Sequence, residues 1–323
     1  MIVNKLRLNK NALQSLITLG ILLIIIVVLS FLSREFLTYT NINNVLQQTT
    51  PVIITGVAAT LLMISGGIDL SVGSVVALSG VVMAKATQTG IPMVAAIFCG
   101  IFVGLLIGLM NGGFVDRLHI PPVIVTMGSM YIARALALIF SNGKAINAGL
   151  PKNYTALGRG MFGVLSVPVL LTIALLLLFI FLEKKTLLGK YSFAIGGNKI
   201  AAIYSGIGVH GLVVIYYVLT GLLAGFAGCI LGSRLGVGSP NVGQGFEFDV
   251  VVAVVLGGTS MSGGEGSVIG TFIGALIIGF LGNGLNLLGV PSFYQGLLKG
   301  FILVLAVILD SSVRNRLANV KAS

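Results

Sequence analysis

Apolar runs close to twenty residues long recur along this chain, and no other feature restricts its fold so strongly. About 20 residues, rising 1.5 Å each, carry a helix across the hydrocarbon core of a bilayer. Inside lipid each backbone N–H and C=O needs an internal partner, which such a run supplies by folding as a helix. Charged residues make up only 8% of the 323 positions and hydrophobic residues 56%, whereas soluble domains carry roughly a quarter charged. A soluble protein is excluded. The expected fold class is all-α integral membrane, a polytopic bundle of about ten transmembrane helices in a single domain over residues 1–323. Spans are expected at 13–33, 46–65, 70–88, 92–110, 122–141, 164–182, 213–233, 250–262, 267–287 and 293–310, the eighth being short for a crossing.

The formal charge of +11 is distributed for a membrane surface and against nucleic acid. Basic residues cluster at the N-terminus (Lys5, Arg7, Lys10), in one central loop (Lys184, Lys185, Lys190, Lys199) and at the C-terminus (Arg314, Arg316, Lys321). Clusters of this kind beside apolar spans mark cytoplasmic segments. An even number of crossings between them places both termini and the loop 183–212 on the cytoplasmic side of the membrane. Lys144, Lys152 and Arg159 run against this rule, since they fall in a loop expected outside. The N-terminal run from Leu13 to Leu32 is too long for a cleaved signal and reads as a first span. Cys99 and Cys229 lie inside apolar runs and read as buried thiols.

Glycine is abundant, at 45 residues, and its spacing carries information. Gly100, Gly104, Gly108 and Gly112 recur every four residues, as do Gly221 with Gly225 and Gly228 with Gly232. That spacing stacks them on one helix face, where neighbouring backbones approach closely. Two glycine-rich interruptions break apolar sequence, one over residues 65–74 and the other over 257–267. Broken segments in both halves of a transporter mark its pathway, because the freed backbone groups need a cavity or a partner. The candidates here are Gly66, Gly67, Asp69, Ser71, Gly73 and Ser74 in the first, and Gly257, Gly258 and Thr259 in the second. The two interruptions resemble one another loosely, which suggests an internal repeat.

Ionisable residues within apolar sequence are costly and so have a task or a partner. Asp69 or Ser71 is placed to cap a helix beginning near Val72; direct contact with substrate is the other role open to Asp69. Arg134 lies inside the fifth span and calls for a carboxylate or carbonyl partner, with substrate binding as the alternative. Glu247 and Asp249 fit either an interfacial pair or contacts with an external partner. His119 and His210 fall in short loops away from any membrane serine, so nucleophilic hydrolysis lacks its parts. No cluster has zinc-ligand spacing. Lys190 is followed by Tyr191 and lacks the glycine that a phosphate-binding loop requires. The chain therefore holds no catalytic residues, cofactor or metal of its own, and any ATP and Mg used for transport belong to another subunit. The central loop contains Ala194-Ile-Gly-Gly-Asn198 and a short helical run from Lys199 to Ser205 that Gly206 can end. A short helix along the inner face is something a motor domain can grip; an ordinary connector is the plainer reading.

Several motifs resemble the permease family of bacterial monosaccharide ABC importers. They are Asn44-Val-Leu-Gln-Gln-Thr49, Gly66-Gly-Ile-Asp-Leu-Ser-Val-Gly-Ser74, Ala194-Ile-Gly-Gly-Asn198, Val254-Val-Leu-Gly-Gly-Thr-Ser260 and Gly284-Leu-Asn-Leu-Leu-Gly289. They stand in family order over nearly the whole chain, and within the family they look most like the ribose permeases. The resemblance implies a homodimer (a second copy of this chain), a periplasmic sugar-binding protein, a tandem-domain ATPase and a monosaccharide substrate. It also implies that a coupling helix near 198–207 meets the ATPase, with Gly196, Gly197, Asn198, Ala201, Ala202, Ser205 and Gly206 as contacts. Lys199-Ile200 departs from the acidic residue and alanine frequent in relatives. Relatives carry other sugars or the autoinducer-2 signal, and an ion-coupled secondary sugar transporter is the rival from another class. That rival would want charged groups near mid-membrane on several helices.

Overall fold

The computed structural model describes residues 2–302, 304, 305 and 308, with side chains from residue 15 onward. The C-terminal cluster of Arg314, Arg316 and Lys321, and the side chains of Lys5, Arg7 and Lys10, lie outside the described residues. Among the described residues, seven helices have the length and apolarity to cross a membrane. They are α1 (Ile2–Leu32), α2 (Tyr39–Ile64), α4 (Met93–Arg117), α5 (Pro122–Ser141), α7 (Val167–Lys185), α10 (Val209–Leu235) and α12 (Val268–Leu287). Three shorter apolar helices complete the bundle: α3 (Val72–Gln88), α11 (Phe246–Leu256) and α13, residues 292–302. These ten occupy the ten expected spans. Between α5 and α7 lie a one-turn helix α6 (Ala156–Arg159) and a two-residue hairpin of β1 (Met161–Phe162) and β2 (Leu165–Ser166). After α7 come α8 (Leu187–Gly197) and α9 (Lys199–Tyr204). For brevity, the end of the bundle carrying α8 and α9 is called the basic end.

Helix α2 is the central post, buried around nearly all its circumference, while α1, α4, α5 and α7 leave most of their surface outward. It starts earlier than its apolar run because Thr38 caps it, accepting from the Asn41 N–H. Pro51 sits inside it and removes one backbone donor. Just before Pro51, Thr49 and Thr50 donate back to the carbonyls of Val45 and Leu46 at 2.7 and 3.0 Å, as threonine in membrane helices commonly does. The four-residue glycine spacing becomes an antiparallel seam between α4 and α10. A methyl group added at Gly104 would lie 2.1 Å from the Gly221 carbonyl oxygen, and one at Gly108 would lie 2.5 Å from that of Tyr217. The backbones themselves are in contact, and larger residues would part the helices.

Helix α10 serves as a depth scale. Its 27 residues span about 40 Å. Gly228 packs on Val76 of α3 and lies about 28 Å from Val209. Gly80 then packs on Gly228 and Gly232, so α3 and α10 run in the same direction. Helix α3 therefore begins near the middle of the bundle and runs away from the basic end. Residues 65–71 climb to that point from the basic end, where α2 stops. The chain makes the opposite journey after α10. Gly238 packs on Gly80 and Ala84, and Gly243 on Gly73 and Val76, so residues 236–245 descend along α3 to mid-depth. Helix α11 starts there and runs to the basic end. It then turns through residues 257–267 into α12, with which it packs antiparallel through Gly257 against Gly270 and Gly274 against Ala253.

The eighth span is short for this reason. It is a half-helix that begins at mid-depth, at Phe246 rather than 250, and ends at Leu256 rather than 262. The suggested repeat also takes a different form. The inverted counterpart of the 65–71 break is the 236–245 segment, and 257–267 is a hairpin at the basic end. Each half of the bundle thus has a long helix, a non-helical re-entrant segment and a half-helix, in opposite orientations, as many transporters do.

Candidate functional site

The amino ends of the two half-helices meet. A methyl group on Gly73, in the first turn of α3, would lie 2.2 Å from Glu247 Oε2 and 2.4 Å from the Gly243 carbonyl oxygen. Glu247 stands in the first turn of α11, so its carboxylate also faces the amino end of α3, where the helix dipole favours negative charge. Interrupted helices at mid-depth leave backbone groups without helical partners, and each break has its own clasp for them.

In the first break, Asp69 is buried and its Oδ1 accepts from the Ser71 N–H at 2.8 Å and from Ser71 Oγ at 2.6 Å. Asn111, fully buried on α4, donates Nδ2 to Ser71 Oγ at 3.0 Å and to both Asp69 oxygens at 3.4 Å. Tyr217 on α10 donates its hydroxyl to the Ile68 carbonyl at 3.1 Å. Ser71 occupies the N-cap position of α3 without capping it by its own side chain, and Asp69 reaches forward two residues to do part of that work. Gly66 adopts φ +88, a turn that lets the chain leave α2 and climb. Gly67 is pressed against Leu62, and Ser74 is buried within α3.

In the second break the roles are reversed. Arg134 on α5 donates Nη1 to the Val242 carbonyl at 2.8 Å and to that of Pro240, and its charge acts on Glu247. Asp249 lies 2.7 Å from Lys299 Nζ of α13. Glu247 and Asp249 thus face different partners inside the bundle instead of pairing with each other. Gly257 ends α11, Gly258 turns the chain at φ +90, and the Thr259 N–H bonds the Val254 carbonyl at 3.1 Å. These three residues stand at the basic end, at the carboxyl end of α11, and not beside the paired amino ends of the half-helices.

At the basic end, Asn198 caps α9 by accepting from the Ala201 N–H at 2.9 Å, and Gly206 closes it at φ +78. Ile200, Ile203 and Tyr204 expose their side chains, as do Ala201 and Ser205, whereas Ala202 is buried and Gly196 is pressed inward. Glu183 is buried at the end of α7 and accepts from the Val268 N–H at 2.9 Å, capping α12. A cleft of about 310 Å³ opens between the first break and α9, lined by Gly66, Gly67, His119, Lys199 and Tyr217 among others. His210 Nδ1 lies 2.9 Å from Asp116 Oδ1, with the His119 ring edge-on to His210. Among the described residues, no group of three His, Cys, Asp or Glu side chains is placed to hold a metal ion.

Sequence reasoning missed Asn111, Tyr217, Glu183 and the 236–245 segment. Asn111 and Glu183 each lie one residue beyond an expected span, so the signal of a polar residue inside an apolar helix was lost at those boundaries, whereas the helices run on to Arg117 and Lys185. The segment 236–245 reads as an ordinary connector, and only its concentration of glycine and proline hinted otherwise.

The family described as "Branched-chain amino acid transport system / permease component" matches residues 41–307. The ribose import permease protein of Bacillus subtilis (strain 168) is 46% identical over 295 residues, 90% of this chain and 90% of its own. That of Escherichia coli (strain K12) is 40% identical over 295 residues, 90% of this chain and 91% of its own. The L-arabinose ABC transporter permease protein of Azospirillum brasilense is 38% identical over 302 residues, 92% of this chain and 88% of its own. No solved structure matches the chain.

Proposed function

From the premise that this chain belongs to the family of branched-chain amino acid transport system permease components, we propose that it is the membrane-spanning subunit of an ATP-driven importer that carries ribose inward. The observation that carries this reading is the 46% identity to a ribose import permease over 90% of both chains. The paired half-helices support a transport role, since both breaks bring clasped, otherwise unpaired backbone to mid-depth. The chain itself is not the catalyst. ATP hydrolysis, with its Mg, belongs to a tandem-domain ATPase, and delivery belongs to a periplasmic sugar-binding protein. Two copies of the chain enclose the pathway. Both termini and the basic end face the cytoplasm of a bacterial inner membrane, and α9 meets the ATPase through Ile200, Ile203 and Tyr204. Gly206 has the wrong backbone for a first test, because any side chain there strains φ +78.

The test is uptake of radiolabelled sugar into liposomes holding permease and ATPase, with binding protein outside and ATP inside. Ribose is expected to accumulate, with arabinose and allose competing weakly, and Tyr204→Glu to abolish both ATPase co-elution and uptake. Accumulation that follows a proton or sodium gradient without ATP would overturn the reading in favour of an ion-coupled carrier.

A further inference from the structure

Three segments distant in sequence meet at the basic end with no side chain between them. The carbonyl of Ile64, at the last turn of α2, has no partner within its own helix. It accepts from the Gly264 N–H at 2.8 Å. A methyl group on Gly196 of α8 would lie 1.8 Å from that carbonyl oxygen and 2.4 Å from the Gly264 nitrogen. One on Gly263 would lie 3.0 Å from the Gly196 Cα, from the Gly66 nitrogen and from the Ile64 oxygen alike. One on Gly264 would come within 3.2 Å of the Gly197 Cα. The backbone of α8 is thus wedged between the foot of α2 and the 257–267 hairpin, and the hydrogen bond holds those two together. Glu183, just before α8, is tied to the far side of the same hairpin through Val268.

Side chains yield by rotating, but backbones in contact have little slack, and packed interfaces of this kind shift as units. From this junction one strand leads directly into the first break (Gly66 to Asp69) and another into α11 and so to the second. We propose that Gly196 is a positioning residue through which displacement of the coupling segment reaches both half-helices at once. In this arrangement α8 and α9, the foot of α2 and the 257–267 hairpin move as one body during transport. The inference rests on the reading of α9 as the contact with the ATPase, and deepens it.

Two measurements on the reconstituted permease, ATPase and binding protein test it. In a background of Cys99→Ala and Cys229→Ala that retains uptake, spin labels are placed pairwise at Ser65→Cys, Lys199→Cys and Ser262→Cys. Their mutual distances are expected to stay the same between the nucleotide-free and ATP-bound states, while their distances to a label at Ser141→Cys on α5 change. A change in the 199–262 separation approaching one helical turn, roughly 5 Å, overturns the proposal. Separately, Gly196→Ala is expected to co-elute with the ATPase and keep basal hydrolysis, while uptake falls about tenfold. Gly211→Ala, at the basic end of α10 and with nothing within 4 Å of its added methyl, should transport normally. Wild-type uptake by Gly196→Ala overturns the proposal while leaving the role of α9 intact. Tyr204→Glu that still co-elutes and transports strikes at that role, whichever way the spin labels move.

Discussion

The two mid-depth breaks answer the same physical demand with opposite chemistry. Residues 65–71 run directly into the amino end of α3, where the surplus groups are N–H donors, and the clasp is an acceptor, the Asp69 carboxylate steadied by Asn111. Residues 236–245 form a longer re-entrant run of turns in which the Pro240 and Val242 carbonyls face a neighbouring helix, and the clasp there is a donor, the Arg134 guanidinium. An aspartate has two acceptor oxygens on a short stem and suits a tight local turn. An arginine reaches across from another helix with several donors and suits a segment that must be held against its neighbour. The half-helices are therefore related by architecture and not by residue type, which is why the repeat is faint in sequence.

If the second clasp is the more exposed to failure, Arg134→Leu should have the largest effect of any single change here. It leaves the Pro240 and Val242 carbonyls unpaired and Glu247 without its nearest positive charge. A loss of about 3 kcal/mol is expected, seen as a lower midpoint in detergent thermal unfolding together with loss of uptake. An unfolding midpoint and uptake close to wild type would mean that the 236–245 segment is held by packing and by the paired backbone bonds of Gly238 with Ile146.

Asp69→Leu comes next, at about 2 kcal/mol, because the Ser71 N–H and hydroxyl lose their acceptor and the Asn111 amide is left with Ser71 Oγ alone. Here transport is expected to fall more than assembly, as judged by uptake against dimer yield on size exclusion. Gly73→Ala probes the point where the two breaks touch. The added methyl forces aside either Glu247 or the Gly243 backbone, at a cost of about 1–2 kcal/mol. Combined with Glu247→Ala, part of that loss should be recovered. A double variant no better than the single would show that the Gly243 backbone is the harder obstacle. The smallest effect belongs to Asp69→Asn, about 0.5 kcal/mol, since the amide oxygen still accepts from Ser71. Severe loss of uptake in this variant would sharpen the contrast in another direction, by showing that the first break needs the negative charge itself.

Much of the molecule was legible without coordinates because its signals are local. Apolar runs of bilayer length located the spans, four-residue glycine spacing marked the helix faces that meet in the α4–α10 seam though not their pairing, and an aspartate in a glycine-rich interruption marked the first break. Asn198 and Gly206 bracket α9 by capping chemistry readable from the residues alone. Depth was not legible. Beyond their glycines and one proline, residues 236–245 carry no sign that separates a surface loop from a segment that dives to mid-membrane; that is decided where Gly238 and Gly243 press against α3. The same holds for Gly196, which sequence assigned to a partner's surface and the packing of α2, α8 and the 257–267 hairpin turned inward. Periodicity, caps and composition act over a few residues, and so the sequence by itself determined which segments are helical and which must break. How far each broken segment enters the bundle depends on backbones well over a hundred residues apart in sequence approaching within a methyl's width, and only the tertiary structure could decide that.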